Sequence, residues 1–237
     1  SISTIGRDNM AYKVEGITKY YGNLKVLDNI SIDFESNKTT CILGPSGCGK
    51  TTLLNIIAGI IPMDSGQIIG FKDERISYVF QEDRLIKWKN VKENLEFVLR
   101  GNMDRKQMEN IIDKYLKLVN LEEYKYYYPK KLSGGMRQKV SILRAFAYPS
   151  NVLIMDKPFK SLDIKSKSVV MQFFKQLRDI ENKTCILVTH DIEEALELGD
   201  KIVMLTQKPT KVKKVVNKNI KDARKLIEFY FDIMPLK

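Results

Sequence analysis

The chain is 237 residues long, 43% hydrophobic, 29% charged and 9% aromatic, the composition of an ordinary globular protein able to bury a sizeable core. No apolar run approaches the ~18 residues of a membrane span, and no secretory leader pattern opens the chain, so the sequence predicts a soluble protein, and any membrane role must come through a partner. The 40 basic and 29 acidic side chains leave a net charge of +11, compatible with nucleic acid, an anionic membrane surface or a polyphosphate ligand.

Residues 1–9 are polar and are expected to be an unstructured lead-in, with Met10 as the native start. Strand-like runs follow at Tyr12–Lys19, Asp28–Phe34 and Thr39–Leu43. A glycine-rich stretch then opens a helix over Thr51–Ala58, and short strands are expected at Gln67–Ile69 and Ile76–Phe80. Between Glu82 and Tyr148 the pattern turns helical: Val91–Leu99 and Arg105–Val119 carry apolar residues at helical spacing, Ile111, Ile112, Tyr115, Leu118 and Val119 among them. Alternation then resumes, with strands at Val152–Met155, Thr184–Thr189 and Lys201–Leu205 and helices at Ile164–Glu181 and Asp191–Leu198. Such alternation implies an α/β fold with a mostly parallel sheet, and ligands at the carboxyl ends of its strands.

Much of the positive excess lies late, in Lys208–Lys225. It reads as a solvated basic tail; attraction to anionic lipid headgroups is the sharper alternative. No aromatics interleave these lysines, which argues against a single-strand nucleic-acid platform. Cys41, Cys48 and Cys185 form an odd set without metal-ligand spacing. Cys41 and Cys185, in apolar runs, are expected to be buried, reduced thiols, which suggests the cytosol.

Gly44, Pro45, Ser46, Gly47, Cys48, Gly49, Lys50 and Thr51 match G-x-x-x-x-G-K-[ST] without a gap, and Thr52 follows. The glycines let the backbone turn tightly and bring N–H groups close to phosphate oxygens. Lys50 adds a point charge for β- and γ-phosphates, and the Thr51 hydroxyl can ligate Mg²⁺. The preceding strand and following helix supply the order this loop needs, the helix N-terminus aimed at the anion. A second anion site is expected at Ser133, Gly134, Gly135 and Met136, where Ser133 can cap a helix reaching about Tyr148. One nucleotide cannot easily use both sites of one chain, so a symmetric pair, each chain's Ser133–Met136 facing the other's Lys50, is the economical solution.

Over roughly Tyr12–Gln207, with its motifs in family order, the chain resembles the nucleotide-binding subunits of ATP-binding cassette (ABC) transporters. Gly44–Thr51 resembles Walker A, LSGGM the signature with Met136 where Gln is more usual, VLIMD at Val152–Asp156 the Walker B strand, and Ser161-Leu162-Asp163 the D-loop. The resemblance implies a phosphate-loop NTPase core with an antiparallel β subdomain and an inserted helical subdomain. The core would span 10–81 and 149–210, the helical signature subdomain 82–148, and a basic C-terminal extension 211–237. It implies ATP and Mg²⁺ as ligands, with Gln81 reaching Mg²⁺ and the attacking water, Asp156 holding Mg²⁺ through water, His190 contacting the γ-phosphate and Tyr21 stacking on adenine. Tyr21 as a core aromatic, with Tyr20 the exposed one, is the alternative. Segments Gln81–Leu95 and Asp200–Pro209 are similar to ATPases of the nitrate, sulfonate and taurine importer group. The implied partners are a second cassette subunit, two permease subunits and, through them, an extracytoplasmic solute-binding protein, placing the chain on the inner face of the cell membrane. Trp88 and Leu85 become candidates for the surface that receives a permease helix, with internal packing as their alternative role.

One departure bears on mechanism. After Walker B the family has Glu; here the chain reads Asp156-Lys157-Pro158. An ammonium has no lone pair with which to accept a proton from water. Loss of a positioned general base costs about 10² to 10⁴ in rate, so hydrolysis at this site is expected to be weak. Lys160 adds a second cation, and without nucleotide such lysines would repel across a symmetric interface. Two functions follow: a transport-coupled ATPase subunit with a weakened site, paired with itself or a complete homologue, and an ATP-binding regulator or adaptor that dimerises without driving transport. A nucleic-acid-associated ATPase is disfavoured, since no heptads or recognition module accompany the charge.

Overall fold

The computed structural model describes residues 12–72, 74–101, 103–217, 224–225 and 227. The expected lead-in and most of the terminal residues beyond 217 lie outside them. The chain divides into two compact units, residues 1–76 with 183–237, and residues 77–182. In chain order the first supplies β1 (Tyr12–Tyr21), β2 (Leu24–Phe34), β3 (Thr39–Leu43), α1 (Lys50–Ile57) and β4 (Ser65–Ile69). Then come β5 (Ile76–Val79), which begins at the boundary, α2 (Val91–Leu99), α3 (Arg105–Leu118), α4 (Gly134–Ala147), β6 (Val152–Asp156) and α5 (Ile164–Glu181). The chain returns to the first unit for β7 (Thr184–Thr189), α6 (Ile192–Leu198), β8 (Lys201–Leu205) and β9 (Val212–Asn217).

In the first unit β7, β3 and β8 run parallel, Cys41 facing Leu187 on one side and Ile202 on the other. Every residue of β3 and β7 is buried, which is why these segments read as unbroken apolar runs rather than as alternation. Cys41 and Cys185 are buried free thiols there, as expected, and Cys48 is buried as well. A separate antiparallel sheet has the order β2-β1-β4. β2 starts four residues earlier than its sequence pattern suggests, because Leu24 and Lys25 pair with Tyr21 and Tyr20 of β1.

The reading of Lys208–Lys225 as a solvated tail is corrected in part. Residues 212–217 form β9, paired antiparallel to β8, with Val203 facing Val215 and Ile202 facing Val216. Val216 is fully buried while Lys213, Lys214 and Val215 are exposed. An edge strand blunted by lysines lacks a clean period of two, so its sequence resembles a charged tail.

In the second unit α4 packs against α5 and α2 against α4 and α3, with Phe146 and Phe174 rings 5.9 Å apart in the core. Each buried aromatic contributes about 1.5–3 kcal/mol through apolar area. α2 and α3 open with full capping boxes, Asn90 with Glu93 and Asp104 with Gln107, so their starts were fixed locally. β5 and β6 are neighbours, tied by Ser77 Oγ donating to the Val152 carbonyl at 3.3 Å. Two short 3₁₀ turns, Glu122–Tyr124 and Pro129–Lys131, break the helical block where apolar periodicity gave no sign of them. Leu85 is buried at 6% exposure whereas Trp88 is 79% exposed. Leu85 therefore leaves the candidate surface and Trp88 remains on it.

Candidate functional site

In the first unit β3 ends at Leu43, α1 begins at Lys50, and residues 44–49 form the loop between them. Gly47 and Gly49 have φ of +73° and +109°, a region side chains rarely adopt. A Cβ on Gly49 would lie 2.8 Å from Val26 Cγ1, so the loop rests directly on β2. No side chain caps α1, which leaves the helix-end N–H groups available to an anion. Lys50 is 3% exposed. Its ammonium donates to the carbonyls of Gly44 at 2.7 Å and Pro45 at 2.6 Å and lies 3.7 Å from Cys48 Sγ. A buried cation inside a loop of glycines, beside an uncapped helix start, fits a nucleotide polyphosphate.

Tyr20 and Tyr21 are both exposed, at 41% and 51%, so Tyr21 is not a core aromatic. Lys19 and Lys25 ammoniums lie 5.8 Å from the Tyr21 ring centroid and 5.4 Å from that of Tyr20. Asp64 fixes this strand end, accepting from the Tyr20 N–H at 2.5 Å and from Lys19 at 3.0 Å. His190 is exposed, between β7 and α6. The turn around it is pinned on both sides. Asp191 caps α6, accepting from Glu193 N–H at 2.8 Å. The Thr189 hydroxyl accepts from Asp191 N–H at 3.1 Å and donates to the buried Glu194 carboxylate. Sequence reasoning singled out His190 and the acidic helix start at Asp191, Glu193 and Glu194 after it, and missed Thr189, whose hydroxyl ties Asp191 to Glu194; its only signal was a threonine at the strand end.

The second unit holds the remaining candidates. Gln81 directly follows Phe80, whose ring stacks on Tyr78 at 4.2 Å and carries the Arg84 guanidinium at 3.7 Å. Burial, and secondarily the Asp156 carboxylate, push the Tyr78 phenol well above its usual range. Asp156 ends β6 and is 7% exposed. Lys157 follows with φ +48°, a tight turn in which its carbonyl accepts from Lys160 N–H at 3.3 Å. Ser133 caps α4, accepting from Met136 N–H at 3.3 Å, as the sequence suggested. Asp163 caps α5 through Ser166, and those hydrogen bonds hold its carboxyl below the usual carboxylate range. A cavity of about 330 Å³ is lined by Gln81, Gly134, Arg137, Pro158 and Ser161 among others. The unit thus brings Gln81, Gly134 at the start of α4, Pro158 in the turn after β6 and Ser161 to one cavity. Arg137 joins two of these segments, donating to the Asp83 carboxylate at 2.9 Å and to the Leu132 carbonyl at 2.7 Å.

Among the described residues no three His, Cys, Asp or Glu side chains cluster as a metal site. A magnesium ion held by one carboxylate, a hydroxyl and phosphates needs no such cluster.

A buried parallel strand feeding a glycine loop and an open helix N-terminus defines a phosphate-loop nucleotide-binding protein. Residues 27–160 match the family model described as ABC transporter. The aliphatic sulfonates import ATP-binding protein SsuB of Bacillus cereus is 36% identical over 222 residues, covering 89% of this chain and 87% of that protein. The sulfate/thiosulfate import ATP-binding protein CysA of Mannheimia succiniciproducens is 39% identical over 212 residues, covering 84% of this chain and 59% of its own length. Among solved structures, the dimeric bacterial ABC transporter cassette MJ0796 superposes with TM-score 0.76 at 30% identity, covering 88% of this chain and 99% of that one. The chain belongs to the ABC transporter family, as an ATP-binding subunit of the importer kind.

Proposed function

We propose that this subunit couples ATP binding to solute import through membrane permease subunits, and that hydrolysis at its own site is weakened by Lys157. The observation that carries the binding half is the buried Lys50 ammonium within the Gly44–Thr51 loop. In this reading Gly44–Thr52 hold the phosphates, Tyr21 stacks on adenine, and Thr51, Gln81 and Asp156 take Mg²⁺. His190 faces the γ-phosphate. Ser133–Met136 and Asp163 serve a second cassette subunit, and the dimeric form of the related MJ0796, also solved in a post-hydrolysis state with ADP and Pi, supports such pairing. The core is 10–81 with 149–210, and 82–148 is the signature subdomain. The names of the relatives, import ATP-binding proteins, support the importing direction; in this reading the subunit assembles with permeases on the cytoplasmic side of a membrane, with a solute-binding protein beyond it. Exposed Trp88 is the permease-facing candidate.

Lys157 carries the second half. Bound ATP supplies the phosphoryl group; what this residue supplies is a cation where a carboxylate would accept the water's proton. A general base contributes about 10² to 10⁴ in rate, so Lys157→Glu is expected to raise steady-state ATPase by at least the lower figure. Wild-type turnover equal to or above that of Lys157→Glu would overturn this half. The same residue favours a second reading, a regulator that binds ATP and dimerises without transport; co-purification with a permease separates the two.

A further inference from the structure

The segment taken from its sequence for a basic tail reaches the phosphate loop. Thr210, fully buried between β8 and β9, donates its hydroxyl to the Cys48 carbonyl of the Gly44–Lys50 loop. It is held there from both sides by β2: its N–H donates to the Val26 carbonyl at 3.0 Å, and its carbonyl accepts from Asp28 N–H at 2.9 Å. Lys211 next to it pairs with Asp28 at 3.1 Å. Val26 is also the side chain against which Gly49 packs. Thr210 therefore sits on the same strand that floors the loop, and its position is set independently of the loop.

We propose that Thr210 is a positioning residue for nucleotide binding, orienting the Cys48–Gly49 peptide of the phosphate loop. The peptide is planar and trans, so its C=O and N–H point in opposite directions. A carbonyl pinned toward Thr210 turns the Gly49 N–H away from β2, to the side on which a phosphate oxygen can meet it. The Lys50 ammonium sets the Gly44 and Pro45 carbonyls from inside the loop; Thr210 sets Cys48 from outside. Gly49, with no side chain to resist rotation, gives the peptide little stiffness of its own. Without the hydroxyl the carbonyl loses its partner in a buried place, and rotation that recovers a hydrogen bond elsewhere carries the N–H out of line.

This inference rests on the loop binding ATP, and the test separates the two. Calorimetric titration with Mg-ATP would compare wild type, Thr210→Val, Thr210→Ser and Thr184→Val. Thr210→Val keeps shape and removes the hydroxyl; affinity should fall about tenfold. Thr210→Ser keeps the hydroxyl and should stay within about twofold of wild type. Thr184→Val deletes another buried hydroxyl, the acceptor of Asn37 N–H at 3.0 Å, and should leave ATP affinity unchanged. Wild-type affinity in Thr210→Val, or an equal loss in Thr184→Val, overturns the proposal. Should Thr210→Val fail to melt cooperatively, Thr210→Ala against Thr210→Ser reads the same contrast. A wild type that binds no ATP overturns the functional reading itself.

Discussion

Replacing Gly49 by alanine should cost far more than replacing Gly47, although both sit in one loop with left-handed backbone. Gly47 has φ +73°, and a Cβ there meets nothing within 4 Å. Gly47→Ala therefore bears only the conformational penalty, about 1–2 kcal/mol for an L-residue in that region. Gly49 has φ +109° and carries the same kind of penalty, but its Cβ would also lie 2.8 Å from Val26 Cγ1 and 3.1 Å from Leu27 Cδ2. Val26 and Leu27 are buried, so neither can swing into solvent, and overpacking adds about 1–3 kcal/mol. For a chain of this size each kcal/mol lowers the melting point by roughly 2–4 °C. Gly47→Ala should then melt about 5 °C below wild type and Gly49→Ala about 10 °C below, on the same conversion. Thermal melts followed by far-ultraviolet circular dichroism measure both. In a double-mutant cycle Val26→Ala should recover part of the Gly49→Ala loss, because it removes the clashing methyl. Equal melting points for the two alanine variants would refute the argument, since the close approach to β2 would then contribute nothing.

Two further outcomes follow from buried or paired polar groups. Asn94 is fully buried; its amide donates to the carbonyls of Ile86, Lys89 and Asn90, and its oxygen accepts from Ile86 N–H at 2.8 Å. Asn94→Ala orphans the Ile86 N–H and takes a donor from the Lys89 carbonyl, while the Ile86 and Asn90 carbonyls keep the backbone N–H groups of Lys89 and residue 94. The change should cost about 1–3 kcal/mol, with faster proteolysis at residues 84–90, and a wild-type urea midpoint would sink this reading. Asp64 is held below the usual carboxylate range by the Tyr20 N–H first and Lys19 second. A depressed folded value means its stabilisation is present above the ordinary ~3.9 and is lost as pH falls through the folded value. The melting-point gap between wild type and Asp64→Asn should therefore be full near pH 7 and shrink below about pH 4, whereas a gap independent of pH would contradict the assignment.

The element boundaries that were legible in the sequence are those written in local chemistry. α5 runs Ile164–Glu181 and α2 Val91–Leu99, the bounds the sequence pattern led one to expect, and each opens on a side-chain cap, Asp163 and Asn90, that acts within three residues. Ser133 caps α4 because a serine hydroxyl can satisfy the Met136 N–H without help from distant residues. The phosphate loop is likewise local: eight contiguous residues, two of them glycines in backbone that other residues resist. These same contiguous signals sufficed to identify the family.

What the tertiary structure decided depends on partners far away in the chain. Whether Leu85 or Trp88 faced solvent was open, since both are large, apolar and three residues apart; packing buried one and exposed the other. β9 needed β8 to become a strand, because its lysines hide the alternation that would announce it. The bond from Thr210 to Cys48 spans 162 positions, and nothing in either segment names the other. Local hydrogen bonding and periodicity act over a few residues and survive in a linear string, whereas burial and cross-strand pairing exist only once the chain has closed on itself.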